Sequence, residues 1–402
     1  MPMVVFVLAV AVFAQGTSEF MMSGLLARIA ADVGVSLGVA GLLTSLFAAG
    51  MVLGAPVMVV ATGRLPVGYS VTAFLGVFCC AHVIGAVATD FGVLLVTRVV
   101  AAVANAGFLA IALAALPRLV GPAVVGRATS VVVSGVTVAC IAGVPAGTLL
   151  GQAWGWRSAF WAVAVLSAAV LIPVRVMLRG DLRDDTTPEG PTRSLPREWL
   201  VLRQRPVLLA VVAAVLVNAA TFAGFTYLGT VTTDAAGGDG WVPLVLALFG
   251  IGSFLGVLVT GRYSDRHQRR IVVGGAVALV GVWALAAVTA HALLGLAVMA
   301  VVAGAVAFGV GSTLIAAIVR TATPVAPRIA GALATTAFNI GAVVGPAAAG
   351  LFVDRTGHPT TALWCSAVFT TAAAIVVAIG RCSGASPDER LRTDAVCRPE
   401  GR

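Results

Sequence analysis

Residues 135–157 read GVTVACIAGVPAGTLLGQAWGWR, and their spacing is the strongest indication of the fold of this chain. Small residues recur within it at every fourth position: Gly135, Ala139, Gly143, Gly147 and Gly151. One face of the predicted helix therefore carries almost no side chain, which lets a second backbone approach closely, as in helix pairs in lipid. Pro145 lies in the same stretch and lacks an N–H group, so we expect the helix to bend there. Ordinary tight packing would also produce such a face.

A second stretch repeats the pattern about half a chain-length later. Residues 341–350 read GAVVGPAAAG, in which Gly341, Gly345, Pro346 and Gly350 resemble the first copy. The repeat predicts a duplicated membrane protein with matching bent helices in its two halves.

The composition agrees with this class. Of 402 residues, 60% are hydrophobic and 10% are charged, and the mean hydropathy is +1.05. A soluble domain could not keep so many apolar side chains from water. Apolar runs of about 20 residues, enough to cross ~30 Å of hydrocarbon, recur along the chain. We predict twelve spans, at 3–23, 39–61, 69–89, 91–116, 128–151, 159–178, 207–229, 242–261, 271–290, 293–319, 329–352 and 361–380.

The arginines predict the orientation. All 25 basic residues are arginines, and with both termini in the cytoplasm only Arg28, Arg157 and Arg355 lie outside, while Arg98 lies at membrane depth. This bias predicts a multi-pass protein of the cytoplasmic membrane. It also accounts for the net charge of +9 without a nucleic-acid partner.

A hydrophilic stretch separates the two halves. Residues 180–206 contain four prolines among alternating acids and bases, which is typical of a loop. We predict an N-terminal six-helix bundle over 1–179, a cytoplasmic central loop over 180–206, a C-terminal six-helix bundle over 207–380 and a cytoplasmic tail over 381–402.

Glu19 lies among apolar residues in the first span. An ionised carboxylate at membrane depth costs several kcal/mol, so such residues are functional candidates by default. Gln15, Glu19 and Met22 share one helix face at spacings of four and three residues. We interpret this face as a site for proton exchange and substrate contact; the alternative is a structural hydrogen bond near the outer end.

Arg98 opens the fourth span, with Asn105 seven residues later on the same face. An arginine at this depth needs a partner or a water-filled cavity. Alternatively it reaches the interface or bonds to backbone carbonyls. We favour the cavity. His82 is interpreted as packed inside the third span.

The second half offers polar candidates but no deep acid or arginine. Asn218, Phe222 and Phe225 share a face of the seventh span, and Asn339 lies in the eleventh. Each could line a cavity, and each polar group could equally form a packing hydrogen bond of about 1 kcal/mol.

Two loops half a chain apart contain the same residues. Residues 62–64 read TGR, and residues 260–270 read TGRYSDRHQRR. An acid among arginines can bridge helix ends in one state and release them in another. We predict an inner gate at Arg64, Gly261, Arg262, Asp265 and Arg266; a plain cytoplasmic loop is the alternative.

Together these motifs resemble the major facilitator superfamily, specifically its twelve-span drug:proton antiporters. GTSEF at 16–20 followed by GLLARIAADVGVS resembles the first-helix motif, and GRYSDRHQRR resembles the signature loop, whose aspartate the first copy lacks. Arg98 fits the fourth-helix motif. Residues 143–151 resemble the fifth-helix motif of exporters, although Pro145 follows Val144 here. GVPAGTLLGQAWGWRSAFW is similar to bacterial chloramphenicol-resistance exporters and their sugar-efflux relatives.

The resemblance implies an all-α membrane fold of twelve transmembrane helices in two pseudo-symmetric six-helix bundles that rock about a central site. It implies proton-coupled efflux of a small drug, with chloramphenicol as first candidate, and hence antibiotic resistance. We expect a monomer in the lipid bilayer, driven by the proton gradient, with no metal or other cofactor.

From the residue patterns and the resemblance together we assign roles to residues as a hypothesis. Proton coupling is assigned to Glu19 and Arg98. The substrate cavity is assigned to Gln15, Glu19, Met22, Asn105, Asn218, Phe222, Phe225 and Asn339. Helix packing that seals the contact between the halves is assigned to Gly143, Pro145, Gly147, Gly151, Gly341, Gly345 and Pro346.

Two other functions stay open. A sugar or nucleoside exporter of the same superfamily would need a more polar cavity. A membrane sensor without transport is disfavoured because the chain has no soluble signalling domain. The sequence contains no Gly-rich phosphate loop, no HExxH and no metal-binding cluster, so we do not expect an enzyme.

Overall fold

The computed structural model describes residues 1–62, 65–121, 124–178, 199–326 and 329–384, except the side chains of residues 55–62, 199, 265 and 381–384. Arg64, residues 180–198 of the predicted central loop and the tail from residue 385 lie outside the described residues.

The first half is a helical bundle. Its helices are α1 (Met3–Phe20), α2 (Met22–Val33), α3 (Leu37–Thr62), α4 (Val67–Val87), α5 (Phe91–Val120), α6 (Val125–Val138), α7 (Val144–Trp154) and α8 (Arg157–Met177). A π-helical turn, Ala139–Gly143, joins α6 to α7 in one span. Proline has no N–H to donate, so Pro145 cannot continue the ordinary helical hydrogen bonds. The π-helical turn accommodates this gap and keeps the span continuous.

The second half follows a short 3-10 helix, Trp199–Arg203. Its helices are α9 (Arg205–Ala236), α10 (Val242–Thr289), α11 (Leu293–Ala322), α12 (Ala330–Thr356) and α13 (Thr361–Gly384). Within the described residues, 12 helical segments are long and apolar enough to cross a membrane. The predicted all-α fold with twelve transmembrane helices is therefore confirmed.

The predicted loop over 261–270 is wrong. Helix α10 runs continuously from the eighth span into the ninth, and only His267, at φ −127 and ψ 23, departs from helical geometry. The segment contains no proline, and its four arginines and Gln268 favour helix. Gly261, Arg262 and Arg266 therefore lie on a kinked helix and not in a loop.

The small-residue face of the fifth span packs against the first span. Gly143 faces Thr17, and a Cβ at this glycine would overlap the threonine hydroxyl. The next two glycines along the face repeat this register, with Gly147 against Met21 and Gly151 against Leu25.

The second copy packs in the same way against the corresponding helix of its own half. A Cβ at Gly341 or Gly345 would overlap the backbone of α9 around Ala219. These glycines therefore join α1–α2 to α6–α7, and α9 to α12, each within one half. The same two helices also contact the other half: a Cβ at Gly250 of α10 would overlap the backbone of Cys140, and one at Gly38 of α3 would overlap the backbone of Gly350. That they seal the contact between the halves stays a prediction.

The structure contains a hydrophobic core in each half, and one of them extends into the other half. One core contains only first-half residues. The larger core belongs mainly to the second half but also includes Phe20, Ala48, Cys140 and Val144 of the first. The two bundles therefore share buried surface where α1 and the π-turn meet α9 and α10.

Candidate functional site

Arg98 of α5 is one of the largest fully buried side chains, with 1% of its surface exposed. Its Nη1 donates to Ser18 Oγ at 2.8 Å, and Nε lies 3.4 Å from the Leu43 carbonyl oxygen. The guanidinium carbon lies 4.1 Å from the centre of the Phe47 ring, a cation–π contact. Nη2 has no hydrogen-bond partner in the described part of the chain. Arg98 thus does not reach the interface.

Ser18 links Arg98 to a buried histidine. Its Oγ lies 2.6 Å from His82 Nε2, and His82 Nδ1 lies 2.7 Å from the Phe78 carbonyl oxygen. Only 1% of His82 is exposed, and its ring packs against Phe78 and Phe160. The expected packed position of His82 is observed, but its hydrogen bond to the first helix was missed.

Glu19 lies next to Ser18 at the end of α1 and is half-buried. It interacts electrostatically with Arg98, although no carboxylate of the described residues lies within ion-pair distance of that guanidinium. The two residues assigned to proton coupling are therefore linked through Ser18, which directly precedes Glu19 and accepts from Arg98. Asp90, the nearest acid to Arg98 in sequence, instead caps α5 by accepting from the Val93 N–H at 3.2 Å.

The other first-half candidates are buried near this pair. Gln15 is 1% exposed, and neither end of its amide finds a partner among the described residues. Met22 is 1% exposed and Asn105 is 4% exposed. A buried amide without a partner costs free energy, so Gln15 is suited to bind a water molecule or a ligand.

A one-residue break between two helices and a π-helical turn lie next to Glu19. Helix α1 ends at Phe20, one residue after it, and α2 begins at Met22. The π-turn faces this break, with Ala139 against Gly16 and Gly143 against Thr17. Irregular backbone at membrane depth is tolerated where protein buries it, and π-turns occur frequently at functional sites.

Aromatic rings join the two halves beside Glu19. The Phe20 ring lies 5.9 Å from Phe222 and 6.0 Å from Phe225, both on α9. Phe225 stacks 4.8 Å from Phe249 of α10, which lies 6.1 Å from Phe308 of α11. We call these five residues the aromatic cluster. The structure thus brings Phe222 and Phe225 close to the charged pair.

The two second-half asparagines form hydrogen bonds to the backbone. Asn218 Nδ2 donates to the Phe338 carbonyl at 2.6 Å, which joins α9 to α12. Asn339 Nδ2 donates to the Thr335 carbonyl at 3.0 Å on its own helix. Both side chains therefore serve packing in this conformation, and their oxygens remain as acceptors.

The halves are tied together at the end of the molecule where α2 meets α3, which we call the closed end. Arg28 of α2 forms an ion pair with Asp239, and Gln152 Nε2 donates to the Asp239 carbonyl oxygen at 2.6 Å. On the other side Asp354 of α12 accepts from Ser36 Oγ at 2.6 Å and from the Gly38 N–H at 2.8 Å.

Small residues allow this close approach. A Cβ at Gly229 of α9 would overlap the backbone oxygen of Ser23, and one at Gly38 would overlap the backbone of Gly350. Gly41 leaves room for the hydroxyl of Tyr227, which donates to the Pro346 carbonyl at 3.2 Å.

The residues assigned to the inner gate lie toward the opposite end. Arg262 and Arg266 are exposed, and a Cβ at Gly261 would meet open space. Arg266 lines a cavity of about 520 Å³ between α9, α10, α11 and α13, together with Gln268 and Arg269. Arg64 and the Asp265 side chain lie outside what the structure describes, so the gate stays a prediction.

Sequence reasoning missed several residues of these sites. Ser18 was quoted within the GTSEF motif, but nothing in a single sequence shows that it faces His82. Asp239 and Asp354 lie near helix ends, where acids are common. Phe249 and Phe308 resemble any other aromatic residue in an apolar span. Only the fold brings these residues to their partners.

The sequence and the fold of this chain are similar to those of known proteins. A family model described as Major Facilitator Superfamily matches residues 8–324 and 239–394. A chloramphenicol resistance protein of Streptomyces lividans is 45% identical over 378 residues, which cover 94% of this chain and 95% of that protein.

Two solved structures are similar in fold. The nucleoside transporter NupG has a TM-score of 0.76 at 12% identity and covers 96% of this chain and 99% of that one. A bacterial homologue of the human lysosomal transporter Spinster, in an inward-facing and unoccupied conformation, has a TM-score of 0.73 at 15% identity. The match covers 94% of each chain. At these identities the likeness shows the fold alone.

Proposed function

The chain belongs to the Major Facilitator Superfamily, and on that basis we propose that it exports chloramphenicol in exchange for protons. It is a multi-pass membrane transporter, and the 45% identity to a chloramphenicol resistance protein over 94% of the chain supports this drug. Export would lower the drug concentration inside the cell and give resistance.

The observation that carries the proposed proton coupling is that Glu19 directly follows Ser18, whose hydroxyl accepts a hydrogen bond from the buried guanidinium of Arg98. Glu19 is only half-buried, so a proton can reach it, and it is the one acid of the first span. A proton that enters down ~100 mV yields ~2.3 kcal/mol. That free energy supports more than a ten-fold drug gradient.

The contacts between the halves support an alternating mechanism. With both termini in the cytoplasm, the closed end faces the outside, and the conformation is inward-facing. In the outward-facing state the halves would separate at Asp239 and Asp354 and approach at the opposite end. Glu19 would then bind a proton from outside and release it inside, with drug moving in the other direction.

The aromatic cluster and the Gln15 amide support a drug with an aromatic ring and polar substituents. Apolar pockets with a few placed polar groups are typical of small-molecule sites. Phe222 and Phe225 offer aromatic rings beside Phe20, the residue that follows Glu19. The drug would bind between these rings and the polar groups of the first half.

Accumulation of labelled chloramphenicol in drug-sensitive bacteria tests the proposal. Cells that express the wild-type chain should accumulate little drug, and a protonophore should raise accumulation to the level of cells with empty vector. Glu19→Gln should show the vector level without the protonophore. Asp90→Asn is the matched control, since it makes the same exchange at an exposed helix cap where Asn also caps well.

Each outcome has a separate meaning. Extrusion by Glu19→Gln at the wild-type rate would remove Glu19 from the mechanism. Vector-level accumulation in wild-type cells, with the protein present in the membrane, would remove chloramphenicol as substrate and leave the superfamily assignment unchanged. A panel of other amphenicols, sugars and nucleosides would then identify the cargo.

A further inference from the structure

We propose that Ser18 and His82 are positioning residues that hold the Arg98 guanidinium in the orientation needed for proton exchange at Glu19. This inference rests on the proposed function, since it concerns how the coupled proton is controlled. The residues come from three spans: Ser18 from α1, His82 from α4 and Arg98 from α5.

The hydrogen bonds have one consistent direction, which can be assigned from the partners. The Phe78 carbonyl can only accept, so His82 Nδ1 donates to it. Arg98 can only donate, so the Ser18 oxygen accepts from Nη1. The Ser18 hydroxyl proton is then free to point at His82 Nε2, which accepts it. A doubly protonated ring would instead place two cations on one hydroxyl.

This series of hydrogen bonds fixes the plane of the Arg98 guanidinium. Arg98 contacts Ser18 through Nη1, the Leu43 carbonyl through Nε and the Phe47 ring through its face. Because the guanidinium is a rigid planar fork, these contacts also set the direction of its last nitrogen. That nitrogen, Nη2, is the one without a partner in the described residues. It is therefore the donor left for Glu19 or for bound drug.

The hydrogen bonds of His82, and not only its packing, explain why a histidine occupies this position. Its site between the Phe78 and Phe160 rings would accept a hydrophobic side chain, and a buried imidazole without hydrogen bonds would destabilise the fold. A histidine is favoured at this position because its Nε2 holds the Ser18 hydroxyl in one orientation, while its Nδ1 is held by the Phe78 carbonyl. Without Nε2 the hydroxyl could rotate, and Nη1 would lose a defined partner.

Few titratable groups surround the hydrogen bonds between His82, Ser18 and Arg98 in the described structure. They are Glu19 on α1, Arg98 on α5, His82 on α4 and the Cys140 thiol of the π-turn, which interacts with Glu19. The elements α3 and α8 contribute Leu43, Phe47 and Phe160 to the chain, and none of these titrates. A change in the pH profile can therefore be traced to these four groups, and the choice of variants separates Glu19 and Arg98 from His82.

Drug uptake into inside-out membrane vesicles with an imposed pH gradient tests the proposal. Labelled chloramphenicol uptake would be measured from about pH 6 to about pH 8 for the wild type, Ser18→Ala, His82→Leu and His82→Gln. In Ser18→Ala and His82→Leu the guanidinium is no longer directed at Glu19. The pH of half-maximal uptake should then rise by about one unit, because an opposite charge favours the ionised carboxylate.

Two variants separate positioning from other roles. The side-chain oxygen of His82→Gln can accept the Ser18 proton as Nε2 does, so this variant should keep the wild-type profile; a profile like that of His82→Leu would mean that His82 itself carries the proton. Ser167→Ala is the matched control, since Ser167 is an equally buried serine of the same half whose hydroxyl has no partner in the described chain.

The remaining outcomes are also decisive. Wild-type pH profiles in both Ser18→Ala and His82→Leu, in vesicles where the wild type transports, would overturn the positioning role. Absence of uptake by the wild type would instead count against the proposed function. If His82→Leu is missing from the membrane, Ser18→Ala alone decides, because it removes a single oxygen atom.

Discussion

The Asp354 carboxylate accepts a hydrogen bond of 2.8 Å from the backbone N–H of Gly38, which lies 316 residues earlier in the chain and in the other half. Helix α3 begins at Leu37, so its first N–H groups have no partner within the helix. A carboxylate is favoured at this positive end of a helix. One half therefore caps a helix of the other, and this cap exists only while the closed end is closed.

Replacing Asp354 by Asn should open the closed end. The amide keeps one acceptor but loses the charge, which is worth about 1 kcal/mol at a helix terminus. The ratio of closed to open molecules should fall about five-fold. Distances between spin labels at positions 31 and 238, in a chain whose native cysteines are replaced, report the two populations. Asp90→Asn, a cap within one half, should leave the distances unchanged.

Replacing Gly229 by Ala should also open the closed end, and more strongly than Asp354→Asn. The new methyl group would overlap the Ser23 backbone oxygen, and backbone cannot move aside as a flexible side chain can. Transport should slow at least ten-fold because the closed-end state is disfavoured. Gly281→Ala is the control, since a Cβ there meets open space. Equal transport rates in the two variants would contradict the predicted close contact.

Replacing Phe225 by Ala should weaken drug binding. The ring lies between Phe20 and Phe249, and aromatic pairs contribute about 0.5–1.5 kcal/mol beyond their area. We expect the KM for chloramphenicol to rise about ten-fold. Phe254→Ala, at an exposed ring on α10, should leave KM unchanged. A fall in maximal rate with constant KM would place the cluster in the conformational step instead.

Asp32 should make stability depend on pH. Hydrogen bonds from Arg157 and from Trp156 Nε1, the latter 2.9 Å long, lower the pKa of this carboxyl. A lowered pKa in the folded state means that the stabilisation is present above the unfolded value of about 3.9 and is lost as the pH falls through the folded value.

The matching measurement compares thermal unfolding of the wild type and Asp32→Asn in detergent. At neutral pH the variant should unfold about 1 °C lower, a small difference because the pair is exposed to solvent. The difference should disappear as the pH falls through the lowered pKa of the folded state, because below it both chains lack the charge. A gap that persists in acid would show that Asp32 stabilises through something other than its ionised form.

The membrane spans could be predicted from the sequence, because a run of twenty apolar residues has few stable structures other than a membrane-spanning helix. The sequence was also sufficient to nominate Glu19 and Arg98, since a charge at membrane depth is rare for a physical reason. The sequence could not show that His82 contacts Ser18, because these residues belong to different helices whose rotation depends on every other contact in the bundle. It misplaced Gly261 in a loop, because hydropathy falls at a helical elbow as it does at a turn.

The glycine contacts have a consequence for how the protein is made. The nearest neighbours of Gly143 and Gly147 outside their own helix are Thr17, Met21 and Ala159, and all five residues precede α9. The tight helix pair of the first half can therefore assemble in the bilayer while the ribosome is still translating the second. Gly345 and Ala219 repeat that event later. Biogenesis of this chain then consists of two successive insertions, each completed by a helix that docks onto a partner already in place.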